Sequence, residues 1–85
     1  MEELKEILLS SPDSQLDAQM KPLIRLWDDP PSAIQILEVL DYCIHGSLAS
    51  GLVVSVLQIQ YDAACKREGV THDLVAERAT WRKGL

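Results

Sequence analysis

The sequence is poor in the residues that bind metals and form disulfide bridges. It contains two cysteines, Cys43 and Cys65, and two histidines, His45 and His72. None of them shows the Cys-x2-Cys or His-x3-His spacing of a zinc site, so no metal is expected. Two cysteines in apolar surroundings are typical of core residues in a reducing compartment. Since the N-terminal residues are acidic and lack the basic and apolar regions of a signal peptide, we expect a cytoplasmic protein.

Signs of catalysis or of cofactor binding are also missing. The glycines lie at expected helix ends or junctions and form no Gly-rich phosphate loop. Cys43 and His45 are two positions apart, so they point to different sides of a helix and cannot act as a nucleophile–base pair. We therefore predict a protein that is not an enzyme and that carries no cofactor.

Positive charge is scarce in most of the chain. Residues 1–65 carry three cations and ten acids, a net charge of −7, whereas residues 66–85 carry five cations and three acids, a net charge of +2; together these make the −5 of the chain. An acidic body repels nucleic acid over most of its surface. The basic C-terminal section remains able to contact an acidic partner.

The length predicts one small domain. The chain has 85 residues, which leave room for a single domain, residues 1–85. Its content of 47% hydrophobic and 25% charged residues is that of a globular protein. Because a domain of this size buries only a modest fraction of its surface, and no disulfide or metal is expected, additional burial would come from another protein or from a homodimer.

The segment SGLVVSVLQIQYDAACKREG, residues 50–69, determines the fold class. Its valines and a short alternating run favour a strand, but the alternation fails on both sides of that run. Apolar residues at helical spacing predict instead a helix that ends at Gly69. The line expected to face the core is Leu48, Leu52, Val56, Ile59 and Ala63. The polar line expected to face away from it is Ser55, Gln58, Asp62 and Lys66.

A membrane-spanning segment is the other alternative for this region. Residues 42–61 contain no charged side chain and are long enough to cross a bilayer. They also contain the helix junction Gly46-Ser47 and several polar residues, and no cluster of Lys or Arg flanks them. No membrane association is expected.

Two helical regions are predicted before residue 30. Residues 2–10 form a short amphipathic helix with Leu4, Ile7 and Leu8 on one face. Residues 13–28 form a second helical region, in which Pro22 removes one backbone hydrogen bond. The region is therefore either kinked at Pro22 or divided near residues 19–21.

The remaining helices have clear local signals. Asp29 is the expected N-cap of a third helix that is apolar on most sides, and Gly46-Ser47 is its tight connection to the fourth. Thr71 is the expected N-cap of a last helix that runs to Gly84.

The predicted fold is all-α, a compact bundle of five or six short helices with the third and fourth at its centre. Such a bundle resembles death-fold-type adaptor modules in the number and size of its helices. This resemblance implies homotypic assembly as one function.

The C-terminal section contains the expected partner-binding residues. Trp81 lies beside Arg82 and Lys83, and Trp and Arg are the residues that most often anchor interfaces. Arg78 precedes Arg82 by four positions on the same helical line. The alternative role of Trp81 is that of a lid on the end of the bundle.

We predict from these features a non-enzymatic protein–protein interaction module, namely a small adaptor, regulator or stoichiometric inhibitor. Its partner is another protein rather than nucleic acid or a membrane. One alternative is a small DNA-binding regulator that uses the basic C-terminal helix for recognition. A death-fold-like homotypic assembly domain is the other.

Overall fold

A computed structural model describes residues 4–46 and 49–84, without the side chain of Lys83. Within these residues the chain forms five α-helices and two 3-10 helices and no strand. The α-helices are α1 (Leu4–Leu9), α2 (Lys21–Arg25), α3 (Ala33–Ile44), α4 (Gly51–Glu68) and α5 (His72–Arg78). The 3-10 helices cover Ala18–Met20 and Thr80–Gly84. The all-α fold is confirmed.

The two longest helices, α3 and α4, form an antiparallel pair at the centre of the molecule and share the most extensive contacts. The end of α4 lies at the start of α3, where the Glu68 carboxylate accepts a hydrogen bond of 2.7 Å from the amide of Ala33. Arg67 donates to the carbonyl of Pro31 at 2.8 Å. A carboxylate is favourable at a helix N-terminus because the first amides lack partners within the helix. The prediction of a central helical hairpin is therefore confirmed.

The predicted helix ends are correct where the signal is local. Gly69 ends α4 with φ of 69°, in the left-handed region that favours glycine. Thr71 caps α5 by accepting from the amide of Leu74. The predicted cap at Asp29 is wrong: Ser32 caps α3 and forms a capping box with Gln35. Pro30 and Pro31 explain the difference, because a residue before proline is disfavoured in the helical conformation.

The connection between α3 and α4 is longer than predicted. The sequence indicates a tight turn at Gly46-Ser47, but α4 begins only at Gly51, with Ser50 as its N-cap. Ser47 lies outside the described residues. The amide of Ser50 donates to the carbonyl of Gln15 at 2.7 Å. This contact attaches the start of α4 to the segment that precedes α2.

The second helical region is shorter than the predicted residues 13–28, and it is divided near residues 19–21 rather than kinked. A 3-10 turn at Ala18–Met20 leads directly into α2, and Pro22 occupies the first turn of α2, where its missing amide has no partner to lose. The helix predicted for residues 2–10 covers Leu4–Leu9 among the described residues. The helix predicted to run from Thr71 to Gly84 ends at Arg78, and Ala79 separates it from the C-terminal 3-10 turn.

The core confirms that most of α3 is enclosed, although Ile44 at its end is 63% exposed, and it corrects the rotation of α4. In α4 the buried residues are Val53, Leu57, Tyr61 and Ala64. Of the line predicted to face the core, Leu52 is 69% exposed and Ile59 is 65% exposed. Ala63 is also exposed and Val56 is half-buried, while Leu48 lies outside the described residues. The predicted register is therefore wrong: α4 turns the adjacent apolar line toward the core.

No helix in the described ranges is long and apolar enough to cross a membrane.

Candidate protein-interaction surfaces

A buried carboxylate on α3 holds the C-terminal turn against the bundle. Asp41 is only 3% exposed. Its Oδ2 atom accepts a hydrogen bond from Trp81 Nε1 at 3.0 Å and one from Arg82 Nε at 2.6 Å. Its Oδ1 atom accepts from Arg82 Nη2 at 3.0 Å. We refer to Asp41, Trp81 and Arg82 as the C-terminal clasp.

The clasp stabilises the buried charge of the Asp41 carboxylate. A buried carboxylate is stable only when it is paired and hydrogen-bonded, and two parallel bonds from one guanidinium provide both. The hydrogen bonds to Asp41 raise the pKa of Arg82 above its ordinary value. In the part of the chain that the structure describes, no buried side-chain nitrogen or oxygen atom lacks a hydrogen-bond partner.

A groove lies beside the clasp, between α3, α4 and α5. Its volume is about 410 Å³, and α3 contributes the apolar residues Leu37, Leu40 and Ile44 to its lining. On the opposite wall, Tyr61 of α4 forms a hydrogen bond of 2.7 Å with His72 Nδ1 of α5. Burial is the main reason that the pKa of Tyr61 lies above its ordinary value. The groove is therefore lined by both apolar and polar groups.

The structure brings together two of the four predicted partner-binding residues. Trp81 and Arg82 meet at Asp41, and both side chains are half-buried. Arg78 is exposed in the last turn of α5. The side chain of Lys83 lies outside the described residues. Partner binding by these four residues stays a prediction, and the clasp adds an internal role for Trp81 and Arg82.

The sequence pattern did not point to Asp41, because it shows the third helix only as apolar on most sides and gives its few polar residues no specific role. One signal was available: Asp41 follows Val39 and Leu40 in a helix that is apolar on most sides. An acid in such a helix needs a cation from elsewhere in the chain. The pattern does not identify that cation, because Arg82 lies 41 positions away.

A second surface is the side of α4 that faces solvent. Leu52, Val56, Ile59 and Ala63, which we call the outer stripe, follow one another at intervals of four, three and four positions. At about 100° per residue, this stripe lies about 125° around the helix axis from the line of core residues. Residues 51–61 carry no charged side chain. The outer stripe is thus an apolar line that is exposed at Leu52, Ile59 and Ala63 and half-buried at Val56, and most of it lies on an uncharged stretch of helix.

The cysteine and histidine side chains are the remaining candidates for a chemical site. Cys43 and Cys65 are free thiols and both are half-buried. Burial, with a smaller contribution from Asp17, raises the pKa of the Cys43 thiol and keeps it in its less nucleophilic form. Among residues 4–46 and 49–84, no three His, Cys, Asp or Glu side chains are close enough together to hold a metal ion.

Comparison of this chain with protein-family models, with curated proteins and with solved structures gives no match. The likeness to death-fold modules therefore rests on helix number and size alone.

Proposed function

We propose that this chain is a non-enzymatic protein–protein interaction module and that the outer stripe of α4 is its docking surface. One observation carries the proposal: α4 has two apolar faces, and the bundle covers only one of them. A helix with a single partner face normally exposes polar residues on its other side. An apolar line at the spacing of the outer stripe is typical of a helix that packs against a second helix.

The exposed side chains of the outer stripe are large enough to drive binding. Leu52 and Ile59 each keep about two thirds of their surface accessible. Complete burial of such a side chain contributes roughly 1.5–3 kcal/mol. A few buried anchors of this kind dominate the free energy of most protein interfaces. The expected partner is therefore a protein that offers an amphipathic helix or an apolar groove.

The clasp supports a structural role for Trp81 and Arg82 beside their predicted role in binding. Their polar atoms already bond to Asp41, so loss of Trp81 would alter the fold of the C-terminal turn as well as any interface. A substitution of Trp81 therefore cannot separate an effect on folding from an effect on binding. The outer stripe gives a cleaner test, because its most exposed side chains can be changed without opening the core.

The experiment compares capture of partners from native cell lysate by the wild-type chain and by two variants. Ile59→Asp places a charge on the outer stripe, and we expect it to abolish capture because the carboxylate would have to lose its water at the interface. Gln58→Asp is the matched control, because it adds the same charge at the preceding position, which lies on the groove side of α4. Captured proteins are identified by mass spectrometry.

Circular dichroism checks that both variants keep their helices. Partners lost with Ile59→Asp and kept with Gln58→Asp would support the outer stripe. The reverse pattern would assign binding to the groove, and the same partners in all three samples would refute a role for either surface.

A further inference from the structure

The outer stripe has a symmetry that suggests its occupant. Resting on the proposed function of α4, we propose that the protein docked on the outer stripe is a second copy of this chain, with the two α4 helices antiparallel. The two-fold axis of this dimer passes the helix at the level of Leu57 and Gln58. Val56 then faces Ile59 of the other copy, and Leu52 faces Ala63.

The sizes of the side chains favour this arrangement. In the antiparallel pair each layer combines a larger aliphatic side chain with a smaller one, Leu52 with Ala63 and Ile59 with Val56, whereas a parallel pair would place each residue against its own copy. Layers of similar volume allow two helices to stay at one distance along their whole contact. The intervals of four and three positions are those of the a and d sites in a coiled-coil seam. The outer stripe is therefore complementary to itself, as a two-fold interface requires.

Charge determines the relative direction of the two helices. Lys66 continues the outer stripe three positions after Ala63 and is exposed. In a parallel pair Lys66 would face Lys66 of the other copy, and the two helix dipoles would be aligned unfavourably. In the antiparallel pair Lys66 faces the region of Ala49, and the uncharged residues 51–61 form the centre. Only the antiparallel pair avoids contact between like charges.

The size of the outer stripe predicts a weak dimer. From Leu52 to Ala63 it extends about 17 Å along the helix at 1.5 Å per residue. Such a contact belongs to the small interfaces, and we expect a dissociation constant between about 1 µM and 1 mM. Because each copy carries a net charge of −5, added salt should strengthen the dimer by screening the repulsion between copies.

Cysteine cross-linking tests the geometry. The native cysteines are replaced in Cys43→Ala/Cys65→Ala chains, and Leu52→Cys and Ala63→Cys are then introduced in separate chains. Oxidation of the mixture should give a disulfide-linked dimer of the two different chains, because only this pair comes within the distance that a disulfide spans. Each variant alone should give far less. Gln58→Cys, on the groove side of α4, is the matched control and should also give far less.

Two results of the cross-linking would overturn the antiparallel dimer. Strong self-cross-linking of Leu52→Cys and of Ala63→Cys would indicate parallel helices. Cross-linking of Gln58→Cys as strong as that of the mixture would indicate random collision.

Sedimentation equilibrium of the unmodified chain separates this inference from the proposed function. We expect monomer and dimer to exchange with concentration, and Ile59→Asp to leave only monomer. One result would overturn the dimer and keep the docking surface. In it, the chain stays monomeric up to about 1 mM, the weak end of the expected dissociation constant, while Ile59→Asp still abolishes capture of another protein. A monomer whose captured partners are unaffected by Ile59→Asp would refute both.

Discussion

At the scale of single residues, Asp41 links the centre of the bundle to the C-terminus. Its carboxylate accepts three hydrogen bonds from side chains that lie 40 and 41 positions away. No other polar or charged residue in the described ranges is as fully buried together with apolar side chains. The position of the C-terminal turn, and with it one wall of the groove, depends on this residue.

We predict that Asp41→Asn lowers the free energy of unfolding by about 1–3 kcal/mol, because an amide group replaces one of the two acceptors and the charge that pairs with Arg82 is lost. The side chain of Arg82 is 33% exposed, so water can solvate the guanidinium and offsets part of the lost ion-pair energy. Urea unfolding measures the change. Asp62→Asn makes the same substitution at an exposed site of α4 and should stay within about 0.5 kcal/mol of wild type. Equal effects at the two positions would contradict the clasp.

At the scale of secondary structure, α4 determines both the stability of the bundle and its candidate interface. One face carries Val53, Leu57, Tyr61 and Ala64 into the core, and the outer stripe lies on the side exposed to solvent. A leucine lies on each face: Leu57 is fully buried in the core, and Leu52 on the outer stripe is 69% exposed. The two leucines thus offer an internal comparison within one helix.

We predict that Leu57→Ala lowers the free energy of unfolding by about 2–5 kcal/mol, because it removes buried methyl groups and leaves a cavity. Leu52→Ala should change it by no more than about 0.5 kcal/mol. Urea denaturation at low protein concentration gives both values for monomeric chains. A larger decrease in the free energy of unfolding for Leu52→Ala than for Leu57→Ala would instead favour the helix register predicted from the sequence, with Leu52 in the core.

For the whole molecule, the charge distribution bears on the expected class of partner. The net charge is −5, and two cations of the basic C-terminal section are engaged within the chain. Arg82 pairs with Asp41, and Arg67 donates to the carbonyl of Pro31. Both contacts use cations that could otherwise meet a phosphate backbone, so we continue to expect a protein partner rather than DNA.

We predict no shift of random duplex DNA by micromolar protein in a gel at about 50 mM salt, where electrostatic binding is strong. The control is the triple variant Arg78→Ala/Arg82→Ala/Lys83→Ala. A shift by the wild-type chain that disappears in this variant would favour the DNA-binding alternative.

Local chemistry made several features predictable. Gly69 and Thr71 mark helix ends because the amides and carbonyls at a helix terminus are satisfied by residues that are adjacent in sequence. The apolar character of α3 predicted that neighbouring elements cover most of it, because a helix that is apolar on most sides has no polar face to turn toward water. Of the candidate surfaces, the sequence indicated the residues of the outer stripe as one apolar line, but it assigned this line to the core.

The amino-acid pattern alone therefore predicted that the chain is helical, that α4 ends at Gly69 and α5 begins after Thr71, and which residues of α4 share a line. Which apolar line of α4 is buried depends on the packing of the whole chain, because both lines satisfy the helical period and the contacts of α3 and the other helices select one of them. The tertiary structure also decided the partner of Asp41, since a buried charge is paired by whichever cation the fold brings near, here Arg82 from the other end of the chain. Periodicity acts over a few residues, whereas burial and charge pairing act across the whole fold.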